Sequence, residues 1–218
     1  MNAIIFDLDG TLIDSAPDIH AASEKLLTEL GYPPLSLETI ISFIGNGVPK
    51  LVERVMDARG LHAEYNLPDL VAKFMTHYEA AATEKTTLFP HVLAALDALK
   101  GAGVAMGVCT NKPQAPTHAV LQAYDLAKYF DVVIGGDTMP VKKPDPVPLL
   151  RAFEDLGAAR KLYVGDSDVD AQTAENAKVS FALFTEGYRK SGVSDLAHAY
   201  RFDDFSALEA IAIAHFRI

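Results

Sequence analysis

The sequence predicts an α/β protein, a doubly wound parallel sheet interrupted by a helical insert. From about residue 88 onward, short apolar segments alternate with helical patterns, which is typical of parallel strands joined by crossover helices. From Ala16 to about Glu84 the pattern is helical throughout. A buried strand, Ala3-Ile4-Ile5-Phe6, precedes that stretch. We therefore expect the helices to be inserted directly after the first strand.

The insert is predicted to contain four helices. They begin near Asp18, Ser36, Val48 and Asn66, and the last runs to about Glu84. The first ends at Gly31, Ser36 is a suitable N-cap for the second, and the Gly45-Asn46-Gly47 segment separates the second from the third. We expect residues 1–14 and 85–218 to form the core and residues 15–84 to form the helical domain.

In the core, apolar runs predict four strands after the first. They lie at residues 104–109, 131–134, 161–164 and 181–184. Helices are expected at residues 91–100, from Pro113, up to about Gly157, and at 171–177 and 207–215. The core is thus predicted to be a five-stranded parallel sheet.

Polar residues follow four of these strands, where each strand ends. They are Asp7 and Asp9; Thr110 and Asn111; Lys143; and Asp166, Ser167, Asp168 and Asp170. The carboxyl ends of parallel strands share one edge of the sheet, so these groups should meet in one crevice. Asp7 and Asp9 are two apart, so on an extended strand they share a face. Two carboxylates that close need a proton or a cation between them, and Mg²⁺ prefers oxygen ligands.

This set of groups suits phosphoryl transfer. One carboxylate can attack phosphorus, and a second can protonate the leaving oxygen and later activate water. Carboxylates can hold Mg²⁺, which shields the nucleophile from the phosphate charge. A hydroxyl and backbone N–H groups at Thr110-Asn111 can bind phosphate oxygens, and a lysine offsets the charge of the transition state.

Four strings resemble the motifs of the haloacid dehalogenase superfamily of phosphohydrolases, in the same order. They are FDLDGTL at 6–12, VCTNKP at 108–113, KPDP at 143–146 and GDSDVD at 165–170. The resemblance implies a Rossmann-like core, an α-helical cap formed by the insert, an aspartyl-phosphate intermediate and Mg²⁺. It implies that Asp7 is the nucleophile and a metal ligand. It also implies that Asp9 is the acid/base, with its backbone carbonyl on the metal, and that Asp166 is the remaining metal ligand.

The same resemblance assigns the supporting residues. Thr110-Asn111 would bind phosphate, and Lys143 would be the lysine of the third motif. Asp170, with Ser167 beside it, would orient Lys143 or a metal-bound water. Lys142 is the rival for the lysine role, but the family has a proline directly after this lysine, which favours Lys143.

Within the superfamily, the second and third strings and the cap segment FIGNGVPKLVERV at 43–55 resemble the phosphoglycolate phosphatases. The resemblance implies hydrolysis of a small phosphorylated metabolite, with 2-phosphoglycolate as the leading substrate. Gly45, Asn46 and Gly47 are candidate contacts to the non-phosphate end, because glycines allow a turn that presents backbone N–H groups at a helix start. A plain turn between helices is equally compatible. Lys50, in the first turn of the following helix, could add positive charge there, although a lysine on the helix surface is favoured over a substrate contact.

Other functions on the same fold stay open. Pyrophosphatases and sugar-phosphate phosphatases or mutases share the four motifs, although the mutases carry a cap histidine where this chain has Ile19. A phosphate-sensing scaffold without catalysis would not need both Asp7 and Asp9. Two departures from the family pattern lie outside the motifs: His91 replaces a glycine, and Lys178-Val179 replaces Ala-Gly.

Composition limits the partners. The 218 residues carry a net charge of −10, which argues against nucleic acid or anionic membranes. Apolar runs are too short to span a bilayer. Met1 leads straight into a predicted strand, so we expect no signal peptide. The single cysteine, Cys109, excludes an intramolecular disulfide and favours the cytoplasm. We expect a monomer or homodimer with a small phosphorylated metabolite and Mg²⁺ as its ligands.

Overall fold

The structure is a computed structural model that describes residues 1–81 and 83–217. Its helices are α1 (Ala16–Glu29), α2 (Leu37–Phe43), α3 (Val48–Arg59), α4 (Leu67–Glu79), α5 (Val92–Gly101), α6 (Gln114–Ala123), α7 (Val147–Asp155), α8 (Asp168–Ala177) and α9 (Leu208–Phe216). Its strands are β1 (Asn2–Phe6), β2 (Ile13–Asp14), β3 (Thr87–Leu88), β4 (Ala105–Cys109), β5 (Val132–Ile134), β6 (Arg160–Gly165), β7 (Ser180–Phe184) and β8 (Tyr200–Phe202). Within the described ranges, no helix combines the length and the apolar character that crossing a membrane requires.

Six of the described strands form one parallel sheet in the order β5-β4-β1-β6-β7-β8. β1 is flanked by β4 and β6, so that Phe6 is level with Val108 and Val164. After β1 the chain adds β4 and β5 on one side of it, and then adds β6, β7 and β8 on the other side. Open α/β sheets bind ligands at such a switch point. The predicted doubly wound α/β core is confirmed, and the residues that follow these three strands lie together at one edge.

The sheet has one strand more than the sequence predicted. β8 is an edge strand of three residues with Arg201 exposed, so it lacks the buried apolar run by which the other strands were recognised. The antiparallel pair β2–β3, which joins the segments entering and leaving the insert, also escaped prediction. Strands of two or three residues are too short to display a periodicity.

The last helix of the insert is shorter than predicted. It ends at Glu79 rather than near Glu84. Beyond the helix the chain turns back to the sheet, and Lys85 donates its backbone N–H to the buried Asp18 carboxylate at 2.9 Å. This contact with α1 replaces a further helical turn. Ala82, which falls within the predicted helix, lies outside the described residues.

The apolar side chains of α1–α4 pack into one cluster, to which Tyr188 of the core also belongs. Its buried members include Ile19, Leu26, Val52, Leu70 and Phe74. Two other clusters cover the opposite faces of the sheet, one with α5, α6 and α9 and the other with α7 and α8. A helical unit that buries its own apolar surface supports the proposed division into residues 15–84 and a core of residues 1–14 and 85–218.

His91 and Lys178, which depart from the family pattern, both have a left-handed backbone. Their φ angles are 62° before α5 and 54° at the end of α8. A side chain in this conformation costs about 1–2 kcal/mol, so glycine suits such positions. At His91 the ring Nδ1 lies 2.8 Å from the Asp204 carboxylate, a contact that glycine could not make.

Candidate active site

Asp7 follows β1 directly, and two donors hold one of its oxygens. Its Oδ1 accepts the backbone N–H of Leu8 at 2.7 Å and lies 2.9 Å from the ammonium of Lys143. Among the described residues no donor reaches Oδ2, so that oxygen is open for reaction. Burial and the neighbouring Asp170 carboxylate raise the pKa of Asp7 from 3.8 to about 7, against the effect of Lys143.

Lys143, rather than Lys142, reaches the Asp7 carboxylate. Its side chain is 2% exposed, and its ammonium lies 2.6 Å from Asp170 and 2.9 Å from the hydroxyl of Tyr163. Burial disfavours the ammonium, but the two neighbouring carboxylates outweigh it and raise the pKa of Lys143. Lys142 points toward the insert instead, where it donates to the Asn46 carbonyl at 2.8 Å.

The start of α8 holds Asp170 in place. Ser167 caps this helix, and its hydroxyl donates to Asp170 Oδ2 at 2.6 Å. The hydroxyl of Tyr163 donates to Oδ1 at 2.5 Å. Burial opposes ionisation of Asp170, yet Lys143 and these hydroxyls lower its pKa. Asp170 is therefore the ionised partner of Lys143.

Asp166 follows β6 and is buried next to Asp7. The hydroxyl of Thr11 donates to its Oδ1 and the backbone N–H of Tyr188 donates to its Oδ2, each at 2.6 Å. A Cβ on Gly10 would lie 2.5 Å from Asp166 Oδ2, so a glycine is needed for this close approach. Burial, followed by two neighbouring carboxylates, raises the pKa of Asp166 well above 3.8.

The carboxylates of Asp7, Asp166 and Asp170 form one buried cluster. One oxygen from each lies within 4.8 Å of the others. Lys143 contacts two of the three, so full ionisation leaves an excess of negative charge, and this imbalance contributes to the raised pKa values of Asp7 and Asp166. A buried group of oxygen donors with excess negative charge fits Mg²⁺.

Asp9 has different neighbours. The sequence pairs it with Asp7 on one face, but β1 ends at Phe6, so the strand alternation does not extend this far. Its Oδ1 accepts the Ser15 hydroxyl at 2.6 Å and lies 2.8 Å from the Lys112 ammonium. In the described part of the chain the acidic cluster comprises the three residues above, and Asp9 is not among them. Asp7 and Asp9 nevertheless line the same cavity.

Thr110 and Asn111 follow β4 and also line this cavity. The backbone N–H of Thr110 donates to the Ile134 carbonyl at 3.0 Å, so this N–H is not available to a ligand as we had expected. Its hydroxyl oxygen accepts the backbone N–H of Lys112 at 3.2 Å, which leaves the hydroxyl proton to donate to a ligand. The side-chain amide of Asn111 donates to the carbonyls of Gly45 and Lys143, both at 2.9 Å. Asn111 therefore ties the insert to the core.

The Gly45-Asn46-Gly47 turn lies against this edge of the sheet. Both glycines line the cavity, with φ angles of 113° and 82°. The Asn46 side chain turns away from them and accepts a hydrogen bond from Arg54 at 2.9 Å. Lys50 pairs with Glu53 at 2.5 Å and is 48% exposed, so it does not supply charge to the turn.

The cavity between the insert and the sheet edge has a volume of about 50 Å³. Its polar lining residues are Asp7, Asp9, Tyr78, Thr110, Asn111 and Lys112. Its apolar lining comes from α1, α3, α4 and the residue before the turn, namely Ile19, Ile44, Val48, Leu51 and Phe74. At roughly 10–15 Å³ for each water molecule, only a small molecule fits this space without further opening.

Several residues of this site escaped the sequence analysis, among them Thr11, Lys112 and Tyr163. Lys112 directly follows Asn111 in the second motif, and that adjacency was the available signal. Thr11 lies within the first motif, where it passes for a turn residue. Tyr163 lies inside the apolar run of β6, where a tyrosine reads as a core residue.

The chain is similar to known proteins over most of its length. Residues 4–184 match the family described as haloacid dehalogenase-like hydrolase. A phosphoglycolate phosphatase of Cereibacter sphaeroides is 48% identical over 199 residues, which are 91% of each chain. Another, of Rhodospirillum rubrum, is 38% identical and covers 94% of this chain and 88% of its own. The crystal structure of a predicted phosphoglycolate phosphatase from Haemophilus somnus superposes with a TM-score of 0.91 at 30% identity, covering 97% of both chains. The chain therefore belongs to the haloacid dehalogenase-like hydrolase family.

Proposed function

We propose that this protein is a Mg²⁺-dependent phosphomonoesterase that acts through an aspartyl phosphate, with 2-phosphoglycolate as its substrate. The observation that carries the proposal is two carboxylates with separate partners in one cavity. Asp7 belongs to the buried cluster beside Lys143, whereas Asp9 is held by Ser15 and Lys112. Carboxyl groups in different environments can take different roles, here nucleophile and acid/base.

The reaction follows from these positions. Asp7 Oδ2 attacks phosphorus, and the bond from phosphorus to the substrate's bridging oxygen breaks. Asp9 gives its proton to that oxygen as it leaves, and then takes a proton from water. The oxygen of this water attacks the phosphorus of the aspartyl phosphate, which releases phosphate and restores Asp7. Lys143 and the Thr110 hydroxyl offset the charge on the non-bridging oxygens.

Asp7, Asp166 and the backbone carbonyl of Asp9 would hold Mg²⁺. When bound, the ion neutralises part of the phosphate charge that the nucleophile must approach. Asp170 and Ser167 support this arrangement through Lys143 and the start of α8.

The choice of substrate rests on the similar phosphoglycolate phosphatases and on the small cavity. A substrate with a two-carbon leaving group suits a cavity of about 50 Å³ better than a sugar phosphate does. We place the enzyme in the cytoplasm, where a lone buried thiol such as Cys109 stays reduced.

The proposal is tested by measuring Mg²⁺-dependent phosphate release from a panel of phosphorylated metabolites, with EDTA as the control. We expect 2-phosphoglycolate to give the highest kcat/KM, because the similar proteins are phosphoglycolate phosphatases and its leaving group is small. A higher kcat/KM for pyrophosphate or a hexose phosphate than for 2-phosphoglycolate would contradict the proposed substrate. No release from any member would contradict catalysis and would favour the scaffold function.

The role of the turn is tested by Gly47→Val. A Cβ at Gly47 would lie 3.2 Å from both the Asn111 carbonyl and the Lys142 ammonium, and φ is 82°, so the turn must move. We expect kcat/KM for 2-phosphoglycolate to fall about tenfold or more, with little change for p-nitrophenyl phosphate. Gly60→Val is the matched control, because Gly60 has a φ of 67° but no atom within 4 Å of its added Cβ. Equal effects of Gly47→Val on both esters would mean that the turn is only structural.

A further inference from the structure

Lys112 joins Asp9 of the core to the helical insert. Its side chain is 3% exposed, and its ammonium lies 2.8 Å from Asp9 Oδ1 and also donates to the hydroxyl of Tyr78 on α4. The ammonium is 4.8 Å from the centre of the Tyr78 ring. Burial disfavours the charge, but Asp9 and Tyr78 outweigh it and raise the pKa of Lys112. A permanent cation therefore lies between the two parts of the molecule.

The donors around Asp9 distinguish its two oxygens. Lys112 and Ser15 both donate to Oδ1. Within residues 1–81 and 83–217 no donor reaches Oδ2, and the Asp9 side chain, 14% exposed, lines the cavity. An oxygen that already accepts two donors is a poor place for a proton, so a proton carried by this carboxyl belongs on Oδ2.

From this arrangement we infer that Lys112 is a positioning residue for Asp9, holding Oδ1 so that Oδ2 presents its proton to the leaving oxygen, and that Tyr78 makes this dependent on the docked insert. The inference rests on the proposed acid/base role of Asp9. Tyr78 belongs to α4 and Lys112 follows β4, so their contact exists only while the insert lies against the core. Without Tyr78, Lys112 would have only Asp9 and no contact with the insert, so that Lys112 and Asp9 could turn together toward solvent.

Two esters of similar shape test the inference. Phenyl phosphate has a basic leaving group that needs a proton, whereas p-nitrophenolate leaves without one. We expect Lys112→Met to lower kcat/KM about 30-fold for phenyl phosphate and less than about threefold for p-nitrophenyl phosphate, since acid catalysis by a placed group is worth about 10²–10⁴-fold. Tyr78→Phe should show the same bias, that is, a larger loss of kcat/KM for phenyl phosphate than for p-nitrophenyl phosphate. The factor should be smaller, because Lys112 still contacts Asp9.

Asp9→Asn and Lys128→Met are the matched controls. Asp9→Asn removes the acid itself and should show the largest bias. Lys128 makes the same kinds of contact at the surface, away from the cavity: it lies 2.5 Å from Asp125 and 5.1 Å from the centre of the Tyr129 ring. Lys128→Met should therefore show no bias.

The outcomes separate this inference from the proposed function. If Asp9→Asn shows the bias and Lys112→Met lowers both esters equally, or neither, the inference about Lys112 is wrong and the proposed function stands. If Asp9→Asn shows no bias, the acid role of Asp9 and the inference both fail. Circular dichroism melting checks folding. Should Lys112→Met not fold, Tyr78→Phe decides, since it strands no buried charge, and the absence of a bias in that variant would overturn the inference.

Discussion

Replacing Asp7 by asparagine should abolish turnover and yet stabilise the metal-free protein as the pH rises. The amide has nearly the same shape as the carboxylate but cannot attack phosphorus or become charged. Residual turnover above about one part in a thousand would remove Asp7 from the nucleophile role, since acid–base help alone is worth about 10²–10⁴-fold.

The magnitude follows from the pKa of Asp7, which burial and Asp170 raise from 3.8 to about 7. A carboxyl whose pKa is raised on folding contributes stability that is fully present below its unfolded pKa and lost as the pH rises through its folded pKa. Between about pH 5 and about pH 8, the wild type should therefore lose about 2–3 kcal/mol of unfolding free energy relative to Asp7→Asn. The substitution also alters the contacts of Asp7 with Leu8 and Lys143. Their contributions to the unfolding free energy largely cancel when the two pH values are compared.

The assay is urea unfolding in EDTA at several pH values, followed by far-ultraviolet circular dichroism because the chain has no tryptophan. In a second series, Mg²⁺ should stabilise the wild type more than the variant at high pH, because a ligand that binds the native state adds to its stability. A stability difference that stays constant with pH, or that favours the wild type as the pH rises, would refute the reasoning about this buried carboxyl.

Three further predictions follow from the structure. Lys143→Met should lower phosphate release far more than Lys142→Met, because only Lys143 contacts Asp7; the reverse order would shift the third motif by one residue. Lys178→Gly should raise the unfolding free energy in urea by about 1 kcal/mol, because φ is 54°, whereas Lys178→Ala should not; equal effects would exclude backbone strain as the cause. Burial raises the pKa of the Cys109 thiol to about 12, so a disulfide reagent should label it only as fast as the protein unfolds, and immediate labelling would contradict this burial.

The sequence was sufficient to predict that Asp7 and Asp166 lie at the same edge of the sheet. Each directly follows an apolar run with the character of a buried strand, and parallel strands end at a common edge. Nothing in that argument depends on side-chain contacts. The observed sheet, in which β1 pairs with β6, places the two as expected.

The pattern of the sequence, by contrast, could not decide between Lys142 and Lys143. Adjacent residues in a loop have no periodicity that determines which one faces the crevice, so only the resemblance to a family favoured Lys143. In the structure its burial between Asp7 and Asp170 provides the physical reason, because a lysine is buried at this depth only when carboxylates neutralise it. The same limit explains why Lys50 was an open candidate for the turn: its pairing with Glu53 is a surface contact that the pattern does not encode.

The sequence by itself thus determined the α/β class, the helical insert and the identity of the edge where carboxylates gather, because these depend on periodicity and strand order. Tertiary structure decided which donors meet which oxygens. It separated Asp9 from Asp7, although they lie two residues apart, because the strand ends before them and each carboxylate found its own cation. The contact between Lys112 and Tyr78 joins residues 34 positions apart in two parts of the molecule, and only the packing of the insert against the core brings them together.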